Sequence, residues 1–489
     1  LYTQPIAYHA ANTPERVAIE TSSGPITYRQ FEDDINKVAN GLSGRLPVGK
    51  VAAVSYGHAY ACWLITLALA RLGCCTLSLA LKGKQVGPMP GVSFVVSDDE
   101  AGCIAGAGKV WLPPEGIQDL CDRGDSTPVV GKMTSEEGAR ISFSSGTTGQ
   151  QKRVVMSQGT IVSRMKSGIF GSAMRADQRV YCYLPKGTFG GFGVPVRTWY
   201  MGGSVLLSKP SFASLDREKV LTVVTTPADL HAAVLQLPPN HVPFENLTIV
   251  VGGAALSSEV ARHAKARLTR NIVLTYGSTE TTTVAMAGID QKEQHPGLTG
   301  FVLPWIRVEI VDDDANAVPI GSEGYVRIQC DGMVSSYLGD EAATRRAFRQ
   351  GWFYPGDRGR LDEQQGLYIS GRADSTININ GQKISAEQME VSIGQLSGVT
   401  DVAVTTSAVT FGSLTVVILV VTGEGYSEKR VRQAVEEEFK LRNYALQVAR
   451  KIPRNELGKI ERHKLAHLID ARRLPSARVP AYRNLRRGK

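Results

Sequence analysis

The stretch "SFSSGTTGQQKRVV", residues 142–155, decides how the rest of the chain is read. It is dense in Ser, Thr and Gly, it overlaps the strand candidate "ARISFSS" (139–145), and it runs on into Lys152 and Arg153. Glycine lets a backbone approach a ligand closely. Hydroxyls and N–H groups behind a strand can form a concave anion site. The spacing excludes a P-loop, which needs G-x-x-x-x-G-K-[ST]; here Gly149 follows Gly146 too soon and Lys152 stands behind two glutamines. Alone, such a loop is also readable as a plain turn. Its company along the chain decides.

Short apolar runs alternate with helical patterns on both sides of the loop. Strands are expected at 51–56, 93–97, 139–145, 179–185, 203–208, 221–226, 247–253 and 271–278, with amphipathic segments such as "LSSEVARHAKARL" (256–268) between them. Such alternation predicts an α/β fold of largely parallel sheets covered by helices. From about 300 to 373 the pattern becomes β-rich ("IRVEIVDDD", "EGYVRIQC", "GLYISGR"), as in a small barrel or antiparallel sheet. After 374 follows a separate α+β pattern, with "VAVTT", "LTVVILVV" and "EKRVRQAVEEEFKLRN". Two domains are expected, a large one over 1–373 and a small one over 374–489. Neither repeats nor a low-complexity linker separate them, so the joint is short.

Composition agrees. A chain of 489 residues exceeds what one core organises. The longest apolar run, "AYACWLITLALA" (59–70), falls short of the roughly 18–20 residues that span a bilayer, so it reads as a buried helix. The 7 cysteines are scattered without a C-x-x-C, which argues against a disulfide framework or zinc site and for a cytoplasmic location. The net charge of +9 gathers partly in the tail beyond Glu461, from Arg462 and Lys464 to Arg487 and Lys489. That tail reads as a solvated end or as a surface for an acidic or phosphate-bearing partner. Nothing in the sequence resembles a nucleic-acid-binding signature.

Further motifs join the loop. "YGSTETTT" (276–283) places Glu280 among hydroxyls at a strand end, where a hard cation travelling with phosphates finds an oxygen ligand. "GWFYPGDRGRLD" (351–362) places Asp357 in a turn, where a carboxylate can accept both ribose hydroxyls. "GRADSTININGQKIS" (371–385) sets Arg372 and Asp374 at the expected domain joint, and "KIPRNELGKIER" (451–462) presents Lys459 on a turn.

Taken in order, SSGTTGQQK, GGAAL (252–256), YGSTE, YPGDRGRLD with SGRAD, and NELGKIER resemble the adenylate-forming superfamily. That superfamily comprises acyl- and aryl-CoA synthetases, peptide-synthetase adenylation domains and luciferases. The resemblance implies two half-reactions: a carboxylate attacks the α-phosphate of Mg·ATP, then a thiol displaces AMP from the acyl-adenylate. It also implies a small C-terminal domain that moves about a hinge. Carried onto this chain, it assigns the β- and γ-phosphates to Ser144, Ser145, Gly146, Thr147, Thr148, Gly149 and Lys152. Gly252, Gly253 and Ala254 would line the adenine and the acyl pocket, Tyr276 would stack on the adenine, Gly277 would help bind ATP, and Asp357 would bind the ribose with Arg372 nearby. Thr279 would meet the α-phosphate, Glu280 would hold Mg2+, Asp374 would be the hinge, and Lys459 would act between the carboxylate and the α-phosphate. The acyl pocket would draw on Thr188, Phe189, Gly191, Gly252, Gly253 and Thr281.

Some positions depart from the pattern. Gln151 and Arg153 replace a usual proline and glycine, and Asn378 stands where some relatives place a second lysine. The segment before Lys459 is also short. Relatives that activate α-amino acids carry an Asp in the stretch matching "LPKGTFGGFGVP" (184–195), and none is present here. An unpaired ammonium in a pocket is costly, so an aryl or acyl acid is expected. Gly190, Gly191, Gly193, Gly252 and Gly253 suggest room there or serve turns. The thiol acceptor is expected to be CoA, with the phosphopantetheine of an acidic carrier protein as the alternative. Rival functions are a non-catalytic binding relative and an enzyme that uses its adenylate without a thiol.

Overall fold

The computed structural model describes residues 1–46, 50–144, 152–172, 175–212, 215–216, 219–373, 376–379, 382–408, 414–442, 444–455 and 458–470. They fall into two compact units. One takes the described residues of Leu1–Leu256 and His263–Ile369 together with Gly458; the other takes Ser257–Arg262, Ser370–Asn455 and the described residues from Lys459 onward.

The first unit is built on two large sheets, beside the short pair Gln85–Val86 and Cys103–Ile104. In the larger, strands Val17–Thr21, Ser204–Leu206, Arg179–Cys182, Leu221–Thr225, Leu247–Val251 and Ile272–Ser278 lie side by side and parallel. Leu221–Thr225 is buried along its whole length, which is why its sequence, LTVVT, carries no charge and shows no strict apolar–polar alternation. The second sheet runs Gly138–Ser144, Cys75–Ser78, Val51–Ser55, Phe94–Ser97 and Gly108–Trp111, again parallel. The apolar run 59–70 forms the helix Ala59–Arg71, almost entirely buried. An aromatic cluster of Phe31, Trp63, Phe192 and Trp199 packs in the core beside it.

The β-rich stretch continues the larger sheet in antiparallel sense. Thr282–Gly288 folds back on Ile272–Ser278, and Gly300–Val302, Gly366–Arg372, Asp357–Leu361 and Gly324–Cys330 follow in order. The second unit is α+β. Val399–Ala408 and Leu414–Thr422 pair antiparallel, and Tyr444–Val448 lies parallel to Leu414–Thr422. Helices Ala386–Gly394 and Glu428–Glu438 contribute Met389, Ile393, Val431 and Val435 to its core. No helix of the described residues is long and apolar enough to cross a membrane.

Candidate active site

The opening stretch is flanked by two paired strands. Gly138–Ser144 pairs antiparallel with Lys152–Ser157, so Ser144 and Lys152 face one another in register. The expected phosphate-holding residues Ser145, Gly146, Thr147, Thr148 and Gly149, with Gln151, lie outside the described residues. Ser144 is buried. Arg153 is turned to another task, since its Nη1 donates to the Pro90 carbonyl at 3.0 Å.

Glu280 sits on a hairpin tip, between Ile272–Ser278 and Thr282–Gly288. Ser278 pairs with Thr282 across it, so Thr279, Glu280 and Thr281 form the loop, and Gly277 lies at a break in the register. Thr282 closes the loop at φ 78°, a left-handed backbone that strains a β-branched residue and clusters at functional turns. The Thr279 hydroxyl lies 3.4 Å from the Phe143 carbonyl, so the turn meets the end of the loop-bearing strand. Glu280 is buried, and its Oε1 accepts a hydrogen bond from the Tyr337 hydroxyl at 2.7 Å. The Lys152 ammonium stands 4.6 Å from the centre of the Tyr337 ring, within the range of a cation–π contact. Tyr337, which lies outside every motif quoted above, therefore links Lys152 to Glu280, 128 positions away in sequence and next to Thr279.

Tyr276 and Asp357 also meet: the Tyr276 hydroxyl donates to Asp357 Oδ2 at 2.5 Å. Gly252, Gly253 and Ala254 follow the strand Leu247–Val251, and the Gly252 amide donates to the Thr225 carbonyl at 3.2 Å. The expected acid-side residues prove to be tightly used. Thr188 caps the helix Phe189–Tyr200: its hydroxyl accepts from the Gly191 amide at 3.1 Å and donates to the Pro185 carbonyl at 2.7 Å. A Cβ on Gly191 would lie 2.1 Å from the Pro185 carbonyl oxygen, and one on Gly252 would lie 2.6 Å from Thr275 Oγ1. These two glycines answer to close packing, not to open room. Phe189 and Thr281 are buried.

In the second unit, Lys459 ends a turn locked by its own backbone. Its amide donates to Asn455 Oδ1 at 3.0 Å and its carbonyl accepts from the Asn455 amide at 2.9 Å. The turn is anchored on both flanks. Arg454 pairs with Asp401 at 2.6 Å, and Arg462 forks onto Glu390 at 2.8 and 3.0 Å while donating to the Val404 carbonyl at 2.6 Å. Glu387 lies 3.4 Å from Arg462 and accepts from the Arg372 amide at 2.8 Å. Asp374 lies outside the described residues, and Asn378 is in the strand Thr376–Ile379.

The donors suit a hard divalent ion arriving with phosphates. Among the described residues no group of three His, Cys, Asp or Glu could hold a metal alone, and Glu280 Oε1 is engaged while its Oε2 accepts no hydrogen bond from them. Magnesium is commonly held by one or two carboxylates plus substrate oxygens. Structural zinc, which wants a closed set of four nitrogen and sulfur ligands, finds no such set among the described residues.

Comparison with known proteins gives this geometry a family. The family described as AMP-binding enzyme matches residues 6–338. An indoleacetate–CoA ligase of Aromatoleum aromaticum is 25% identical, covering 94% of this chain and 96% of its own. A D-alanine–D-alanyl carrier protein ligase of Bacillus cereus is 24% identical, covering 94% and 98%. The ATP-bound structure of MatB from Rhodopseudomonas palustris superimposes with a TM-score of 0.78 at 21% identity, covering 95% of this chain and 98% of its own. The chain belongs to the AMP-binding enzyme family, the adenylate-forming ligases.

Proposed function

We propose that this chain activates an aryl or acyl carboxylic acid with ATP, releasing pyrophosphate to form an acyl-adenylate, and then transfers the acyl group to a thiol. The observation that carries the reading is the Lys152–Tyr337–Glu280 cluster at the Thr279–Glu280 turn, together with the Tyr276–Asp357 hydrogen bond at the start of the same hairpin. A carboxylate is already nucleophilic, so adenylation needs no general base. The barrier lies in two anions meeting and in charge building on the phosphoryl oxygens, which positioned cations and hydroxyls lower. In this reading Ser144 and Lys152 hold the leaving pyrophosphate, Thr279 orients the α-phosphate, and Asp357 takes the ribose hydroxyls. Lys459 stabilises the charge that develops between acid and phosphate. Glu280 would hold Mg2+, which supplies charge neutralisation on the phosphates. Residues 1–373 act as the nucleotide- and acid-binding domain, and 374–489 as the domain that brings Lys459, with Asp374 and Arg372 at the joint.

The absence of an acidic residue in 184–195 supports an acid without an α-ammonium. The acceptor is proposed to be CoA, for which the indoleacetate–CoA ligase is the precedent; the carrier-protein ligase supports the alternative of loading a carrier in trans. ATP–pyrophosphate exchange over a panel of acids tests the first half. Exchange is expected with aryl or acyl acids and not with free amino acids; no exchange with any acid overturns the reading. Mass detection of acyl-CoA against a loaded carrier then decides the acceptor.

Tyr337→Phe isolates the role of the Tyr337 hydroxyl. Losing one hydrogen bond to a carboxylate is worth about 1–2 kcal/mol, so the apparent Mg2+ constant in the exchange assay is expected to rise about 5–30-fold. The KM for the acid should hold. An unchanged Mg2+ dependence would remove Glu280 from the metal role.

A further inference from the structure

We propose that Arg164, which lies outside every motif quoted above, is the positioning residue of the Thr279–Glu280 turn and links that turn to Phe189 on the acid side. Its functional consequence rests on the adenylation reading. Arg164 is on the helix Gln158–Ser172 and only 1% exposed. Its guanidinium is nearly saturated: Nε donates to the Gly332 carbonyl at 2.7 Å, Nη1 to the Thr279 carbonyl at 2.9 Å, and Nη2 to the Glu280 carbonyl at 2.7 Å. Nη1 also lies 3.2 Å from Met156 Sδ, and the guanidinium carbon stands 4.7 Å from the centre of the Phe189 ring.

No carboxylate pairs with this cation among the described residues. A buried charge without a counter-ion is a poor choice for stability alone, since a well-packed apolar side chain of similar volume often serves as well or better. What the guanidinium offers instead is geometry. Its planar fork holds two successive carbonyls at once, which the single ammonium of lysine cannot reproduce. Fixing the carbonyls of Thr279 and Glu280 fixes both peptide planes, and with them the directions in which the Thr279 hydroxyl and the Glu280 carboxylate leave the backbone.

The same side chain reaches beyond the turn. The Glu280 carbonyl also accepts from the Val334 amide at 3.0 Å. Arg164 therefore joins the turn to segment 332–334, just before Tyr337, whose hydroxyl holds the Glu280 carboxylate. Through the Phe189 ring it touches the first turn of the helix Phe189–Tyr200. One buried cation thus braces the nucleotide side and the acid side of the site while reaching neither substrate.

Two variants and two measurements test this. Arg164→Lys keeps the charge but loses the fork; Arg164→Met keeps approximate volume without charge and guards against a lysine variant that fails to fold. Hydrogen–deuterium exchange is followed in peptides covering 278–284 and 332–336, alongside ATP–pyrophosphate exchange kinetics. Expected are faster deuterium uptake confined to those peptides and a kcat lowered about 10–100-fold, the scale of a small misplacement of reacting groups. KM for ATP and acid should stay within about threefold, because the lost interaction acts on the transition state. A purely structural role would neither confine the exchange difference to these peptides nor separate kcat from KM. Unchanged uptake in both peptides, or a kcat within about twofold of the parent, overturns the proposal. If the parent chain itself catalyses no exchange with any acid, the adenylation reading falls, and the deuterium measurement still decides whether Arg164 holds the turn.

Discussion

Lys459→Ala is expected to fold like the parent and to lose adenylation by about 10²–10³-fold in ATP–pyrophosphate exchange, the loss typical of removing one preorganised donor to a developing charge. The structure gives the reason folding should survive. The turn is closed by the Lys459 amide and carbonyl, both bonded to Asn455, and alanine keeps both groups. Its flanks are held by Arg454 and Arg462. ATP binding, measured by titration, should change by less than about threefold, because the lysine acts at the transition state more than in the bound ground state. Exchange within about tenfold of the parent would remove Lys459 from the reacting centre. Equal melting temperatures in parent and variant are part of the expected result, since they separate lost chemistry from lost structure.

How much of this site could be read in advance depends on what sort of signal each residue leaves. The parallel strands were legible because buried strands such as Leu221–Thr225 are short, uncharged and rich in β-branched residues, and Ala59–Arg71 because it is apolar almost all round. The strand Lys152–Ser157 was hidden, since its charged start reads as a continuation of the glycine loop. The helix Phe189–Tyr200 was hidden as well. It contains Gly190, Gly191, Gly193 and Pro195, all poor helix formers, and it forms because Phe192 and Trp199 pack in the core and Thr188 caps its start. Tyr337 left no local signal, because its partners Glu280 and Lys152 are remote in sequence. Arg164 did leave one: it sits on the same buried helical stripe as Ile161 and Met165, and a charge on such a stripe asks for a partner.

Arg462→Met is expected to cause a large loss of stability, and a loss that depends on pH. Arg462 forks onto Glu390, whose side chain is 11% exposed. Removing one partner of a buried pair costs roughly 3–5 kcal/mol; the Arg462 side chain is 32% exposed, so about 2–4 kcal/mol is expected here. Burial pushes the Glu390 carboxyl above the ordinary glutamate range, while Arg462 and the Val404 amide pull it back and Glu387 adds to the rise. A carboxyl raised in the folded state favours folding in full below its unfolded pKa, and that contribution is lost as pH rises through the folded pKa. Without Arg462 the folded pKa climbs further, so the loss extends to higher pH. The gap in melting temperature between parent and variant should therefore be small near pH 4–5, around the unfolded glutamate value of about 4.3, and widest near pH 8. Adding Glu390→Gln to Arg462→Met removes the stranded charge and should recover more than half of the loss at pH 8. A gap that is equal at both pH values, or a double variant no more stable than the single, would mean that Arg462 contributes packing and not charge. The pair then could not be what holds the flank of the Lys459 turn.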